Sequence, residues 1–362
     1  MTAKYKILLC CLFFAITLFI LLQRNVDKIN SDVLRISIVH KYSYKDSYNL
    51  NLIDNYKIIP RCNSNLITWI VTSNAENILP RSALRSAYPN EELNELGIQR
   101  IFLLGLLNKI NKPIINISQS ALLDEANRFH DILQGNFIES YKNLTLKHLM
   151  GLQWVVNNCI NAQFIMKMDD DIVANLYEMP QLLKDNLINN NTISGYILRS
   201  MKPIRNTSSK WFVNKVDYPF DVYPDFASGW LYITTLPVAR KIVDSVSLNQ
   251  QYFWIDDVFI TGILREELGI KLNSINHLYA TDYRYLNCCL HGQQKHLKCD
   301  YMIGPNGGDN KLQLKFKNFA KFCHRQCVDR TKQFSVNKTC ITVYETQKLQ
   351  NGHAKIQSLK IF

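Results

Sequence analysis

Three consecutive carboxylates stand directly behind an apolar segment of the sequence. Asp169, Asp170 and Asp171 follow residues 163–168, which predict a buried strand. In an extended chain, the side chains at positions 169 and 171 point to the same side. Two such carboxylates suit a hard divalent cation, Mn²⁺ or Mg²⁺, whose remaining positions can take phosphate oxygens. The alternative for a run of this kind is a solvated acidic loop.

A second acidic pair, Asp256 and Asp257, lies between an aromatic segment at 252–255 and an apolar run at 258–260. Apolar surroundings disfavour an ionised carboxylate and raise its pKa, which makes this pair a candidate for a general base. The alternative is a helix start, with Asp256 capping a helix that continues through Leu268. The two interpretations are compatible, because one carboxylate can cap while the other does chemistry. The neighbouring aromatic rings suit stacking on a sugar.

The elements that must position these carboxylates follow from the apolar pattern. Strands are predicted at residues 66–71, 100–104 and 163–168. A helix is expected after Pro80, and Ser140 is expected to cap another. Strands that alternate with helices predict an α/β domain with a mostly parallel sheet. In such sheets ligands bind beyond the carboxyl ends of the strands, where the first acidic motif lies.

The chain has 362 residues, of which 47% are hydrophobic and 20% charged, an ordinary globular composition. Residues 7–22 are apolar apart from Thr17 and, at about 1.5 Å per residue, span a thin membrane as a helix. We therefore expect a cytoplasmic tail at 1–6, a transmembrane signal anchor at 7–22 and a stem at 23–60. A lumenal domain at 61–345 and a tail at 346–362 complete the expected organisation. The alternative, a cleavable signal peptide, lacks a clear cleavage site.

The formal net charge is +12, but the lysines and arginines are scattered and form no basic run. This pattern argues against a nucleic-acid-binding protein and fits a small anionic substrate such as a nucleoside diphosphate. Five sequons add support for a lumenal domain, because they are candidate N-glycosylation sites. They begin at Asn116, Asn143, Asn190, Asn206 and Asn337.

Eight cysteines lie outside the apolar N-terminal segment. An even number in a translocated domain fits up to four disulfides, whose pairing the sequence leaves open. A zinc site is the alternative, although the spacing is irregular. The eight are Cys62, Cys159, Cys288, Cys289, Cys299, Cys323, Cys327 and Cys340.

Six segments resemble, in order, motifs of the β1,3-galactosyltransferase and β1,3-N-acetylglucosaminyltransferase family. The segment from Arg81 to Tyr88 resembles the family's Arg-x-x-Ile-Arg-x-Thr-Trp motif, with Tyr88 in place of Trp. The other similar segments are 102–105, 125–147, 167–175, 223–232 and 254–258. The resemblance spans residues 81–270.

The resemblance implies a GT-A-type, Rossmann-like fold and an inverting transfer of galactose or N-acetylglucosamine in β1,3 linkage. The donor would be a UDP-sugar, the cofactor Mn²⁺ or Mg²⁺, and the acceptor a glycan on a glycoprotein or glycolipid. The location implied is the Golgi membrane, as a type II protein with a lumenal catalytic domain. The alternatives are a fringe-type transferase and a catalytically inactive relative that binds glycans or a partner protein.

The resemblance also assigns roles to residues. Asp257 would be the general base, and Asp169 and Asp171 would bind the metal. The acceptor side would hold Trp254, Asp256 and Gly229. The donor nucleotide would meet Arg81, Arg85, Lys147, Asp169 and Asp170.

Two of these assignments carry alternatives. A guanidinium forks onto phosphate oxygens, which suits the donor nucleotide, but Arg81 and Arg85 could instead form surface ion pairs. The family also has a metal-binding His soon after its Cys-x-Tyr step, here Cys299 to Tyr301. Residues 302–308 contain no His. We therefore take His296 as the third metal ligand, with His291 as the alternative.

Overall fold

The computed structural model describes residues 17–24, 54–63, 66–107, 117–186, 191–246, 252–291 and 296–340. Helix α1 covers residues 17–24. In these ranges no helix has the length and apolar character needed to cross a membrane. The first ten residues of the expected anchor lie outside the described ranges, as do residues 25–53 and the tail after 340. The anchor, the stem as far as residue 53 and the tail therefore remain predictions, whereas residues 56–58 of the expected stem form a strand of the central sheet.

Eight of the ten strands in the described ranges form one central sheet, in the order β1-β4-β3-β2-β5-β8-β7-β9. The remaining two, β6 and β10, pair with each other. The strands are β1 (Tyr56–Ile58), β2 (Ile67–Thr72), β3 (Ile98–Leu106), β4 (Ile132–Ile138), β5 (Phe164–Asp169), β6 (Ile172–Ala174), β7 (Thr192–Leu198), β8 (Phe226–Thr235), β9 (Lys271–Ser274) and β10 (Ile303–Pro305).

The central sheet is mixed rather than mostly parallel. Strands β4, β3, β2 and β5 are parallel neighbours, and so are β7 and β9. Strand β8 runs antiparallel to both β5 and β7, and β1 runs antiparallel to β4. The apolar pattern gives strand positions but no strand directions, and for this reason it could not predict the reversal at β8. That reversal places the amino end of β8 beside the carboxyl end of β5.

Helices flank the sheet, and the predicted elements are present. The helix expected after Pro80 is α2, and Ser140 caps a 3₁₀ turn at Tyr141–Asn143 that leads into α5. A π-helix, Val258–Leu264, precedes α8. The helices after α1 are α2 (Ile78–Ala87), α3 (Asn90–Glu95), α4 (Gln119–Phe129), α5 (Leu144–Asn158), α6 (Met179–Asn186), α7 (Leu236–Ser245), α8 (Arg265–Glu267), α9 (Tyr283–Cys289), α10 (Lys311–Gln326) and α11 (Val336–Thr339).

The eight cysteines form four disulfides, so the zinc alternative is wrong. Because each sulfur is bonded to another sulfur, none is left as a thiolate ligand. One bridge joins the residue after α5 to the chain before β2. The pairs are Cys62–Cys159, Cys288–Cys340, Cys289–Cys299 and Cys323–Cys327.

Helix α5 packs closely on the sheet at Gly151. A Cβ atom added there would lie 2.5 Å from Cδ1 of Leu103 in β3. Leu103 is itself fully buried, so its side chain has little room to move aside. The glycine therefore sets the distance between α5 and strands β3 and β2, which are neighbours of β5 in the sheet.

We expect Gly151→Ala to destabilise the protein by about 1–2 kcal/mol, because overpacking outweighs the better helix propensity of Ala. Urea unfolding measures this change. Leu103→Ala should cost about 2–5 kcal/mol alone through the cavity it leaves. The double variant should cost less than the sum of the two, since each change accommodates the other. A more stable Gly151→Ala variant would contradict the close contact.

Candidate functional site

The first acidic motif lies at the carboxyl end of β5, as the apolar pattern predicts. Asp169 is the last residue of β5, and its side chain is 35% exposed. Asp171 is exposed and precedes β6. Asp170 faces inward, and its Oδ2 accepts hydrogen bonds from Ser73 Oγ at 2.7 Å and Asn77 Nδ2 at 3.1 Å. Asp170 is therefore held by protein groups, whereas Asp169 and Asp171 are accessible to a ligand.

The outer carboxylates lie in surroundings that favour their protonated forms. Burial raises the pKa of Asp169 to about 7, against the charge of Lys167. Partial desolvation by neighbouring protein atoms and the charge of Asp170 raise the pKa of Asp171. A bound cation would relieve this cost of ionisation.

A fully buried ammonium group connects the two acidic motifs. Lys167 is 1% exposed, and its Nζ donates to Asp169 Oδ1 at 2.6 Å and to the Gly229 carbonyl at 2.7 Å. The same Nζ lies 3.9 Å from Asp256 Oδ2. Burial opposes the charge, but the carboxylates of Asp169 and Asp256 outweigh it and raise the pKa of Lys167.

Gly229 lies where the two motifs meet. A Cβ atom added to it would be 3.1 Å from Lys167 Nζ, 3.6 Å from Asp169 Oδ2 and 3.8 Å from Asp257 Cβ. Its N–H donates to Asp257 Oδ2 at 3.3 Å. A side chain at this position would occupy the space between the acidic groups. The structure thus brings Asp169 and Asp257 together at one glycine.

The two carboxylates of the second motif have different partners. Asp257, not Asp256, caps the helix, because Asp257 Oδ1 accepts from the Val258 N–H at 2.8 Å. Burial and the adjacent Asp256 raise the pKa of Asp257. Burial opposes ionisation of Asp256, but the Lys167 ammonium and a hydrogen bond with His148 lower its pKa. Asp256 is therefore the ionised member and Asp257 the more basic one.

Two carboxylates fit a hard divalent cation, but the expected histidines do not join them. In the described ranges, no group of three or more His, Cys, Asp or Glu side chains could hold a metal ion. The exposed His296 ring lies 6.1 Å from that of Phe322, and His291 is also exposed. The metal-ligand set of Asp169, Asp171 and either histidine is thus not assembled.

Asn306 lies in the stretch after Tyr301, where the family resemblance predicts a metal-binding histidine. Strand β10 pairs antiparallel with β6. The next residue, Asn306, donates its backbone N–H to the Asp171 carbonyl at 2.8 Å. The Asn306 side chain is buried, and its Oδ1 accepts from the Gly308 N–H at 2.8 Å. The sequence offered no direct signal for this neighbour, because 135 positions separate it from Asp171.

The two arginines form buried ion pairs rather than surface ones. Arg81 donates from Nε and Nη2 to Glu125, each at 2.8 Å, and from Nη1 to the Asn74 carbonyl at 2.6 Å. Arg85 donates to Asp131 Oδ1 at 2.7 Å and to Glu125 Oε1 at 2.6 Å. Contact of either arginine with the nucleotide remains a prediction.

Lys147 is also occupied by protein groups. Its buried Nζ donates to the Ser73 carbonyl at 2.6 Å and pairs with Glu139. Lys147 and Arg81 thereby hold residues 73–75, the loop that follows β2. Ser73 of this loop also binds Asp170, so both basic residues position the acidic motif indirectly.

Aromatic rings lie near the acidic groups. Trp254 lies edge-on to Tyr141, with the ring centroids 5.9 Å apart. The Lys210 Nζ lies 4.4 Å from the centre of the Trp211 ring and 5.6 Å from that of Tyr141. Burial, together with Asp256 and Asp257, raises the pKa of Tyr141 to about 12. Sequence reasoning found Trp254 but missed Tyr141 and Trp211, which are distant along the chain.

The sequons differ in their surroundings. Asn206 is exposed, whereas the Asn143 amide donates to the Ile138 carbonyl at 2.8 Å. Asn337 Oδ1 accepts from the Tyr301 hydroxyl at 2.6 Å. Asn116 and Asn190 lie outside the described residues. Glycosylation at each site remains a prediction.

A sequence model described as galactosyltransferase matches residues 80–276, more than half of the chain. The chain belongs to the galactosyltransferase family. Asp169, Gly229 and Asp257 all lie within the matched range, whereas β10 and Asn306 lie outside it.

Curated proteins from this family are similar in sequence. Beta-1,3-galactosyltransferase 2 of Homo sapiens is 35% identical over 230 residues, 63% of this chain and 53% of that protein. Beta-1,3-galactosyltransferase 2 of Pongo abelii is 36% identical with the same coverage. Beta-1,3-galactosyltransferase 5 of Gorilla gorilla gorilla is 34% identical over 212 residues, 58% of this chain and 68% of that protein. The match thus spans about half the length of the first two relatives.

Solved structures are less similar. The galactosyltransferase LgtC, with donor and acceptor sugar analogues, has a TM-score of 0.34 and 10% identity, covering 70% of this chain and 95% of that one. Mouse xyloside xylosyltransferase 1 has a TM-score of 0.30 and 11% identity, covering 67% of this chain and 98% of that one. Both scores are low.

We expect Arg85→Met to destabilise the protein by about 1–3 kcal/mol. Asp131 and Glu125 would each lose one buried partner, although Arg100 and Arg81 still pair with them. Urea unfolding measures the stability, and calorimetry measures UDP affinity in the folded protein. Arg128→Met, an exposed change at the end of α4, is the control. Weaker UDP binding at unchanged stability would instead indicate that Arg85 contacts phosphate.

Proposed function

We propose that this protein is an inverting hexosyltransferase that moves galactose or N-acetylglucosamine from a UDP-sugar to a glycan in β1,3 linkage. One observation carries the proposal. Asp169 Oδ2 and Asp257 Cβ lie 3.6 Å and 3.8 Å from the same added Cβ position at Gly229. A metal-binding carboxylate and a basic carboxylate thus flank one space. Family membership and the names of the relatives support the sugar and the linkage.

Asp257 is the proposed general base. It accepts the proton of the acceptor hydroxyl as the hydroxyl oxygen forms a bond to the anomeric carbon of the donor. The bond from that carbon to the UDP oxygen breaks on the opposite face, and UDP leaves with the electron pair. One base suffices for this single displacement with inversion. The raised pKa of Asp257 suits the role, because a more basic carboxylate takes the proton more readily.

Asp169 and Asp171 are the proposed ligands of Mn²⁺ or Mg²⁺. When bound, such an ion would offset the negative charge that develops on the departing diphosphate. The carboxylates fit this ion because oxygen ligands suit hard cations. Desolvation raises the pKa of both carboxylates, and a bound cation would favour their ionised forms. Asp170 and Lys147 would support the donor side by fixing Ser73.

The acceptor is proposed to lie against the aromatic rings beside Asp257. Trp254 and Tyr141 can stack on a sugar ring, and Asp256 and Gly229 are proposed to lie on the same side. The acceptor class is a glycan on a glycoprotein or glycolipid. The four disulfides favour an oxidising compartment. We propose a Golgi type II membrane protein with this domain in the lumen.

A catalytically inactive relative is the second candidate. It is favoured by the lack of a third His, Cys, Asp or Glu ligand in the described ranges. There Asn306 contacts Asp171 through its backbone N–H, and its side chain bonds Gly308 and Asn310. Such a protein would bind glycans or a partner protein in the Golgi. The two candidates differ in whether UDP binding depends on a divalent cation and whether transfer occurs.

We expect Asp257→Asn to reduce transfer by about 100- to 10,000-fold, because an amide cannot accept the hydroxyl proton. UDP binding should persist, since Asp257 would contact the acceptor and not the nucleotide. Product formation from UDP-galactose and UDP-N-acetylglucosamine measures the first effect, and calorimetry measures the second. Asp244→Asn, an exposed change in α7, should leave both unchanged. Near-normal turnover of Asp257→Asn would disprove the base assignment.

We expect Asp171→Ala to weaken Mn²⁺-dependent UDP binding by more than about tenfold, since even groups around metal ligands matter by about 10- to 100-fold. Calorimetric titration of UDP with and without Mn²⁺ measures the change. Asp124→Ala, at an exposed position of α4, is the control. Wild-type protein that binds no UDP with Mn²⁺ would favour the inactive relative. Unchanged binding by Asp171→Ala would place the metal elsewhere.

A further inference from the structure

We propose that His148 is a positioning residue for the acidic pair: a neutral imidazole that links Tyr232 to Asp256 and holds Asp256 ionised beside Asp257. This inference rests on the proposed function, because Asp257 is there the base. The imidazole contacts neither the proposed metal ligands nor the space between Asp169 and Asp257. Its effect on transfer is therefore indirect.

A chain of hydrogen bonds runs beneath the site. His148 lies in α5, is 0% exposed, and its Nδ1 is 2.9 Å from Asp256 Oδ2. The opposite ring nitrogen, Nε2, is 2.6 Å from the hydroxyl of Tyr232 in β8. Tyr232 is 1% exposed, so the imidazole and the phenol are both enclosed by protein. Each ring nitrogen of His148 thus has one protein partner.

These partners fix the tautomer of His148. An ionised Asp256 can only accept a hydrogen bond, so Nδ1 must carry the proton and donate it. In a neutral ring, Nε2 is then an acceptor, and the Tyr232 hydroxyl donates to it. Burial lowers the pKa of His148 against the opposing charge of Asp256, and burial raises the pKa of Tyr232. The imidazole therefore stays neutral, and the phenol keeps its proton.

The chain affects Asp257 through the charge of Asp256. An anionic Asp256 disfavours a second negative charge on its neighbour and so makes Asp257 more basic. Without the His148 donor, a proton can occupy Asp256, and Asp257 then loses the adjacent charge. The acid limb, meaning the fall of kcat/KM at low pH as Asp257 becomes protonated, would move to lower pH. A weaker base would also lower the maximum rate. The other ionisable groups acting on the pair are Lys167 and Asp169 from β5, Tyr232 from β8, Tyr141 before α5, and Tyr223 before β8.

The first test compares two replacements of His148. His148→Leu removes the donor, whereas the amide nitrogen of His148→Asn can occupy the place of Nδ1 and still donate to Asp256. We expect kcat/KM to fall by about 10- to 100-fold in His148→Leu, with the acid limb moved to lower pH. His148→Asn should keep the wild-type limb. Equal losses in both variants, with the limb unmoved, would indicate a packing role and overturn the proposal.

Tyr232→Phe and Asp256→Asn complete the set. Tyr232→Phe keeps the ring volume and the His148 donor, so its acid limb should stay close to that of the wild type. Asp256→Asn removes the charge itself and should shift the limb in the same direction as His148→Leu. A limb that does not move in Asp256→Asn would also overturn the proposal. Urea unfolding shows whether each variant is folded. If His148→Leu does not fold, Asp256→Asn still tests the role of the Asp256 charge.

The second test needs no transfer activity. Nitrogen-15 NMR of the histidine rings should show His148 as the neutral Nδ1–H tautomer, without titration between about pH 5 and 8. The signal is assigned by its loss in His148→Asn. Protonation of His148 in that range, or an Nε2–H tautomer, would overturn the proposal.

The two tests separate the failure of this inference from that of the proposed function. If wild-type protein shows no transfer but His148 has the expected tautomer, the proposed function fails and the hydrogen-bonded chain stands. If wild-type protein transfers sugar but His148→Leu keeps both rate and acid limb, only the inference fails.

Discussion

The arrangement of the site depends on one buried cation. Lys167 places an ammonium group, 1% exposed, between Asp169, Asp256 and the Gly229 carbonyl. An unpaired ammonium in this position would cost several kcal/mol, and so would carboxylates gathered there without it. The cation and the anions therefore require each other. Their mutual stabilisation holds the end of β5, the start of β8 and the second acidic motif in one place.

A second set of buried ion pairs supports the loop that borders this site. Arg81 and Arg85 share Glu125, and Lys147 joins Glu139 to the Ser73 carbonyl. The first of these pairs is bidentate, a geometry that adds rigidity to the bond. The loop after β2 is fixed by these contacts, and Ser73 in turn fixes Asp170. Arg81 and Lys147 thus position the acidic motif indirectly, through the loop at residues 73–75.

The mixed sheet determines which residues meet. Because β8 is antiparallel to β5, its first residues lie beside the last residues of β5, and Gly229 reaches Lys167. The side of α5 nearest this edge contributes His148, which completes the partners of Asp256. Antiparallel pairing of β10 with β6 brings Asn306 to Asp171 in the same way. A sheet with β8 reversed would leave the two acidic motifs apart.

The sequence by itself determined strands β2, β3 and β5, helices α2 and α5 and both acidic motifs, because hydrophobic periodicity and clustered carboxylates are local signals. The order of the motifs along the chain also indicated the family. The even number of cysteines indicated disulfides but not their pairing. Only the tertiary structure decided the direction of β8, the disulfide pairs and which aspartate caps the π-helix. It also made Arg81 and Arg85 partners of buried carboxylates and added Lys167 and His148 to the site. These outcomes depend on strand order and on the desolvation of groups far apart along the chain, which no local pattern encodes.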